Sequence, residues 1–230
     1  MSEQTIKPIA YIKSDFKEKF GIPRQSGLSP SSEAIIVFKP EYRDENALKE
    51  IDGFDFLWLI FDFSMAHQSE FKPTVRPPRL GGNKKVGVFA SRSPFRPNSL
   101  GLSSVKLKSV DKNAEYGTFL RVLGADLLDG TPIYDIKPYV PYSDCHIGAR
   151  GGYTESKEFN KLNVSFSDET KGILKKSQEI ALIECLSQDP RPAYKENGEA
   201  QNYGMKFAEF DIKFEIKNDV LTITEIKKQK

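Results

Sequence analysis

The most constraining feature of this 230-residue chain is a succession of short runs rich in β-branched and aromatic residues, separated by turns rather than by helical stretches. Ile6 to Ile12, Glu33 to Phe38, Phe56 to Phe63, Lys85 to Ala90, Val105 to Val110 and Tyr116 to Leu123 all have this character, which favours strands. In the fifth run Val105, Leu107 and Ser109 alternate with Lys106, Lys108 and Val110, the period of a strand with one face in solvent. From Asp44 to Ile51 the pattern predicts a short helix, with Asp44 as cap and Gly53 as stop. Strands spaced by turns predict a mainly β fold, an antiparallel barrel or sandwich, and argue against a doubly wound sheet.

The pattern changes near residue 144. Ser143 to Asn163 is polar, contains glycine and reads as a linker. Ser167 is then expected to cap a helix from Asp168 to about Ser187, with Asp168 and Glu169 in the dipole-favoured first turn. Ile173, Leu174, Ile180, Leu182, Ile183 and Leu186 would form its apolar face, and Pro190 would end it. Two alternating runs, Ala208 to Ile216 and Val220 to Ile226, flank Lys217-Asn218-Asp219 and predict a half-buried hairpin. The expected organisation is a β-rich main domain over 1–143 and a small α+β domain over 144–230.

Composition narrows the function classes. No apolar run approaches the roughly 20 residues of a membrane-spanning helix; the longest, Phe54 to Phe63, is broken by Asp55 and Asp62. The first residues carry no apolar secretory signal. Cys145 and Cys185 make neither a disulfide framework nor a zinc pattern, and His67 and His146 sit in no metal-spaced cluster. The reading is a cytoplasmic protein with reduced thiols, no metal and no membrane partner. The net charge of +2 hides a strong asymmetry. From Phe71 to Val110 there is no Asp or Glu, although the chain's average frequency would place about five or six there. The same stretch holds nine basic residues: Lys72, Arg76, Arg79, Lys84, Lys85, Arg92, Arg96, Lys106 and Lys108. A local positive field of this kind suits a polyanion or an anionic ligand, or else a solvated basic face balanced elsewhere.

Four segments could carry chemistry. Arg76-Pro77-Pro78-Arg79-Leu80-Gly81-Gly82 is a stiff loop that presents two guanidiniums, whose forks match phosphate or carboxylate. Ala90 to Gly101, ASRSPFRPNSLG, is dense in hydrogen-bond donors. In Asp126 to Tyr139 the Asp129-Gly130 turn places a carboxylate where it could accept two neighbouring hydroxyls. Gln188 to Tyr194, QDPRPAY, offers Arg191 and Tyr194 for phosphate pairing and base stacking. Each also has a plain structural reading as a salt-bridged loop, a self-bonded connector, an Asx turn or a helix stop. No GxGxxG, P-loop or GxSxG occurs, and nothing in these residues alone specifies the ligand.

These segments resemble the TrmO (TsaA-like) family. The matching pieces are PTVRPPRLGG (Pro73 to Gly82), GVFASRSPFRPNSLGLS (Gly87 to Ser103), DLLDGTPIYDIKPY (Asp126 to Tyr139) and QDPRPAY, with Lys17 to Gly27 also fitting. The resemblance spans nearly the whole chain in order. It implies a β-barrel methyltransferase domain of non-Rossmann type with a small C-terminal α+β domain. It also implies S-adenosylmethionine as cofactor, tRNA as partner and a homodimer. The implied reaction is methyl transfer to N6 of threonylcarbamoyl adenosine beside the anticodon. Two alternatives remain: an RNA-binding module that has kept the fold without turnover, and a methyltransferase for another RNA or small molecule.

By this resemblance Arg24, Gln25, Ser26, Gly27, Ser64, Met65, Arg92, Asn98, Leu102, Asp129, Gly130, Thr131 and Pro132 would bind the cofactor. Arg92 would take its carboxylate and Asp129 would accept its hydroxyls. Arg76, Arg79, Lys84, Lys85, Arg96, Arg191 and Tyr194 would contact tRNA. Asp135 and Tyr134 would be candidates for the catalytic base. One departure stands out: the family often has histidine directly after the strand ending in Phe61-Asp62-Phe63, where this chain has Ser64, with His67 the nearest histidine.

Overall fold

The computed structural model describes residues 3–80, 84–155, 161–191 and 200–229. Tyr194, Gly81 and Gly82 lie outside them. The fold is mainly β, as expected. Six strands, β1 (Ala10–Ser14), β2 (Glu33–Phe38), β3 (Phe56–Asp62), β6 (Leu100–Asn113), β7 (Gly117–Leu123) and β8 (Pro132–Pro138), form one antiparallel sheet. Their order is β1-β2-β7-β6-β3-β8, and β8 pairs back to β1 through Ala10 with Ile133 and Tyr11 with Pro132, so the sheet closes on itself. A two-stranded ribbon, β4 (Thr74–Val75) and β5 (Val86–Gly87), carries the proline- and arginine-rich loop.

Period-2 alternation decides which side chains fill the closed sheet. Ala10 and Ile12 of β1 face Phe38 and Ile36 of β2 in register, and all four are buried. Leu57, Leu59 and Phe61 of β3, Val105 of β6, Leu120 and Val122 of β7 and Ile133 of β8 complete this core.

A second core forms beyond residue 160. Strands β9 (Asn163–Phe166), β10 (Gln201–Phe207), β11 (Phe210–Lys217) and β12 (Val220–Lys228) make a sheet in the order β10-β11-β12-β9. Helix α2 (Lys176–Leu186) buries Ala181, Leu182, Cys185 and Leu186 in the same core. The helix α1 (Pro141–Asp144) lies between the two sheets in sequence. Residues from the start of the chain also enter the second core: Phe16 bridges to Phe207, and the Phe20 ring lies 5.9 Å from that of Tyr203.

Several sequence expectations need correction. The second helix starts at Lys176, not Asp168. Ser167 and Thr170 close a local turn instead (Thr170 N to Ser167 O, 3.1 Å), and Gly172 at φ +75° carries the chain out of helical geometry. Ile173 and Ile180, placed on the apolar face, are exposed. The short helix after Asp44 is two 3-10 turns, Glu45–Leu48 and Ile51–Gly53, parted by Glu50 in a left-handed conformation. Asp44 does cap the first, its carboxylate accepting the Asn46 amide at 2.9 Å. The run Lys85 to Ala90 yields only the two residues of β5, then a 3-10 turn, Val88–Ala90. The first strand begins at Ala10 rather than Ile6; Pro8 has no N–H to give a ladder.

Candidate functional site

A cavity of about 620 Å³ opens at one end of the closed sheet, within the usual size for a small-molecule site. Strand ends and loops supply its wall: Phe61 and Asp62 end β3, Leu100 to Ser103 begin β6, and Asp126 to Leu128 precede β8. Residues 22–25, 63–66, 91–92 and 94–96, with Lys19, Trp58 and Thr131, supply the rest of the lining. At Gly101 the backbone passes so close to Phe61 that an added Cβ would lie 2.2 Å from the ring. Glycine there lets β6 run against the aromatic floor.

Seven of the thirteen residues expected to bind the cofactor line this cavity: Arg24, Gln25, Ser64, Met65, Arg92, Leu102 and Thr131. The Arg92 guanidinium donates to Gln25 Oε1 at 2.5 Å, and Gln25 Nε2 donates to the Arg24 carbonyl, also at 2.5 Å. Arg24 in turn donates to the carbonyls of Asp189 (3.2 Å) and Arg191 (3.3 Å). The Lys19 ammonium bonds the Met65 carbonyl at 2.6 Å, pinning the opposite lip.

The other expected cofactor residues lie off the wall. Asn98 is exposed, and Ser26, Gly27, Gly130 and Pro132 are not among the lining residues. The Asp129 carboxylate is taken: Oδ1 accepts the Ser14 amide at 2.9 Å and Oδ2 pairs with Lys17 at 2.9 Å. The Asp129 to Thr131 turn clasps the end of β1, with Gly130 N–H on the Ile12 carbonyl at 2.8 Å.

The carboxyl that faces the cavity is Asp126, three residues earlier. Ser103 Oγ donates to it at 2.6 Å. Burial pushes its pKa up, against the pull of the Ser103 hydroxyl, backbone amides including that of Ser26, and the Arg92 charge. Asp62 is the second acid on the wall; its Oδ1 lies 2.7 Å from His67 Nε2. Neither residue stands out from its run in the sequence. Their one signal is an acid interrupting an apolar strand or loop run.

Neither candidate base lines the cavity. Asp135 pairs with Lys137 at 2.8 Å, and burial and the nearby Asp62 charge push the Tyr134 phenol's pKa up. Of the residues assigned to tRNA, Arg76, Lys84 and Lys85 are exposed on the ribbon loop. Arg96 turns inward, donating to the Ser91 carbonyl at 2.9 Å. Arg191 is buried and forks onto Asp189 (2.9 and 2.7 Å), so its guanidinium is committed to the fold. The backbone of Arg79 belongs to a 3-10 turn, Pro78–Leu80. Among the described residues no cluster of His, Cys, Asp and Glu could hold a metal, and no helix is long and apolar enough to cross a membrane.

A closed antiparallel sheet with a ligand-sized cavity rimmed by guanidiniums defines a protein that binds a small molecule carrying an anionic group. Comparison with known proteins makes the class specific. The model for the tRNA-methyltransferase O N-terminal domain matches residues 11–145, and that for the TrmO C-terminal domain matches 160–229. The chain belongs to the tRNA-methyltransferase O family. It is 38% identical to the tRNA (adenine(37)-N6)-methyltransferase of Escherichia coli (strain K12), over 94% of each chain. It is 40% identical to the enzyme of the same name from Eikenella corrodens, over 76% of this chain and 97% of that one. The crystal structure of TrmO from Pseudomonas aeruginosa superposes with a TM-score of 0.79 at 31% identity, covering 99% of this chain and 98% of the other.

Proposed function

We propose that this chain is an S-adenosylmethionine-dependent tRNA methyltransferase that transfers a methyl group to N6 of threonylcarbamoyl adenosine beside the anticodon. Relatives named tRNA (adenine(37)-N6)-methyltransferase support the reaction class and the cofactor. The observation that carries the reading is the cavity's chemistry. An aromatic and aliphatic floor, the Asp126 carboxyl and the Arg92 guanidinium match, in turn, an adenine ring, polar hydroxyl or amino groups, and an amino-acid carboxylate. These residues fit the cofactor, with Asp126 taking the role expected of Asp129. When bound, the cofactor supplies an electrophilic methyl group on sulfur. The protein holds the acceptor nitrogen in line and excludes water, and alignment alone can contribute an effective molarity of roughly 10⁵ M or more.

Arg76, Lys84 and Lys85 hold tRNA phosphates from the ribbon loop, with Arg79 as their sequence neighbour. Each neutralised phosphate adds about 0.7 to 0.9 to the slope of log affinity against log salt. The closed sheet is the barrel of a methyltransferase domain over 1–143, and residues 144–230 form the smaller domain of a cytoplasmic homodimer. The deciding experiment is transfer of radiolabelled methyl to tRNA with and without the threonylcarbamoyl group. Label confined to the modified tRNA supports the reading; equal label in both overturns the substrate.

A further inference from the structure

We propose that Asp62 is the proton acceptor of the methyl transfer and that His67 is its positioning residue; this rests on the reaction proposed above. The cavity wall holds two carboxylates, Asp62 and Asp126. A base for this reaction must face the cavity and be able to return its proton to water. Asp126 is engaged by Ser103, the Ser26 amide and the Arg92 charge, which suits a binding group.

Asp62 is placed differently. It ends β3 opposite Leu100, next to the Phe61 floor, with its side chain 8% exposed. Its Oδ1 is 2.7 Å from Nε2 of His67, whose side chain is 62% exposed. The pair therefore runs from the cavity wall to solvent. With hydrogen on Nε2, the imidazole donates to Oδ1 and satisfies a buried oxygen beside an apolar floor. Burial, and after it the Asp62 charge, pushes the Tyr134 phenol up, and Tyr134 does not line the cavity, so it does not compete as a base.

The step balances without a further reactant. As the N6–C bond forms, the S–CH₃ bond breaks and its electron pair stays on sulfur. The N6 proton passes to the Asp62 carboxylate, and the neutral acid returns it to water on the His67 side. The attached carbonyl makes N6–H more acidic than a plain adenine amine, so a carboxylate suffices.

The test compares Asp62→Asn, His67→Ala and Asp126→Asn with the wild-type full chain on tRNA bearing threonylcarbamoyl adenosine. Single-turnover rate, dissociation constant for S-adenosylmethionine and thermal midpoint are read for each. Asp62→Asn should slow transfer by about 100-fold or more, with cofactor affinity within about twofold of wild type. His67→Ala should lose roughly tenfold, the worth of one hydrogen bond to a charged group, and added imidazole should restore part of it. Asp126→Asn should weaken cofactor binding instead. The assignment is overturned if Asp62→Asn keeps the rate within about threefold, if its rate and affinity fall together, or if Asp126→Asn carries the rate loss. Failure of imidazole rescue removes the role of His67. If the wild-type chain transfers no methyl group, the reaction itself is wrong, and the base assignment goes with it.

Discussion

Alanine at Gly101 should strain the closed sheet where it floors the cavity. Gly101 of β6 and Phe61 of β3 are register partners. An added Cβ would stand 2.2 Å from Cζ, 2.4 Å from Cε2 and 2.7 Å from Cε1 of the Phe61 ring. Carbon atoms prefer about 3.5–4.0 Å, so the ring must move by about 1 Å or more. It is 3% exposed and packs edge-on to Phe63 with centroids 5.0 Å apart, which leaves the cavity as its way out. Overpacking of this kind costs about 1–3 kcal/mol, and for a chain of this size each kcal/mol is about 2–4 °C. Gly101→Ala should therefore lower the thermal midpoint by about 2–12 °C and weaken cofactor binding as the ring enters the cavity. Phe61→Leu shortens the clashing group, so the double variant should be more stable than the sum of the singles by about 0.5–3 kcal/mol. Thermal unfolding and calorimetric titration with S-adenosylmethionine on all four proteins give the answer. A Gly101→Ala midpoint within about 1 °C of wild type, or strict additivity, would refute the packing argument.

Arg92→Ala should weaken S-adenosylmethionine binding by about 10- to 100-fold through loss of a charge-assisted contact, as measured by titration calorimetry; unchanged affinity removes the carboxylate assignment. Glu184 of α2 accepts from Ser29 Oγ (3.2 Å), Ser31 N (2.8 Å) and Ser31 Oγ (2.8 Å). Glu184→Ala should cost about 2 kcal/mol, a fall of about 4–8 °C in thermal midpoint. Burial raises the Cys185 thiol from 9.0 to about 11. A raised folded-state value stabilises below the unfolded pKa and is lost as pH rises through the folded one, so stability should fall by up to about 2–3 kcal/mol between pH 9 and 11. Urea midpoints across that window should fall less for Cys185→Ala; parallel curves would remove the thiol from the account.

The parts legible in the sequence were those fixed by local pattern. The second strand agrees to the residue, because the β-branched and aromatic run Ile35 to Phe38 is compact and bounded by Ser31-Ser32 and Pro40; that Ala34, Ile36 and Phe38 face inward shows only in the structure. The C-terminal helix was read too early, since its acids and a serine cap look right locally while Gly172 and the burial of Leu174 hold the chain in a turn. The cavity's loops were visible as donor-rich segments, and Arg24, Gln25 and Arg92 do meet across 67 positions of sequence. What could not be read was which acid of Asp126-Leu127-Leu128-Asp129 faces inward. That depends on Ser14 and Lys17 capturing Asp129 and on Ser103 reaching Asp126, contacts more than 20 residues apart.

The same contacts explain why the far end of the chain bears on the cavity. Asp189 sits at φ +51°, a strained conformation for a non-glycine residue, and its carboxylate is held by the Arg191 amide (3.1 Å) and guanidinium. That ring of bonds presents the carbonyls of Asp189 and Arg191 to Arg24 on the rim. Glu184, one turn earlier, grips Ser29 and Ser31, which follow the rim residues directly. Both ends of the 24–31 loop are thus fixed by the segment 184–191, whose own anchor is the second core. Disrupting Asp189 should therefore loosen Arg24 and lower cofactor affinity without any contact to the cofactor. Asp189→Ala, compared with Arg24→Ala and the double variant, tests this: sub-additive losses in affinity are expected if both act through Arg24, and additive losses would show that the clasp acts elsewhere.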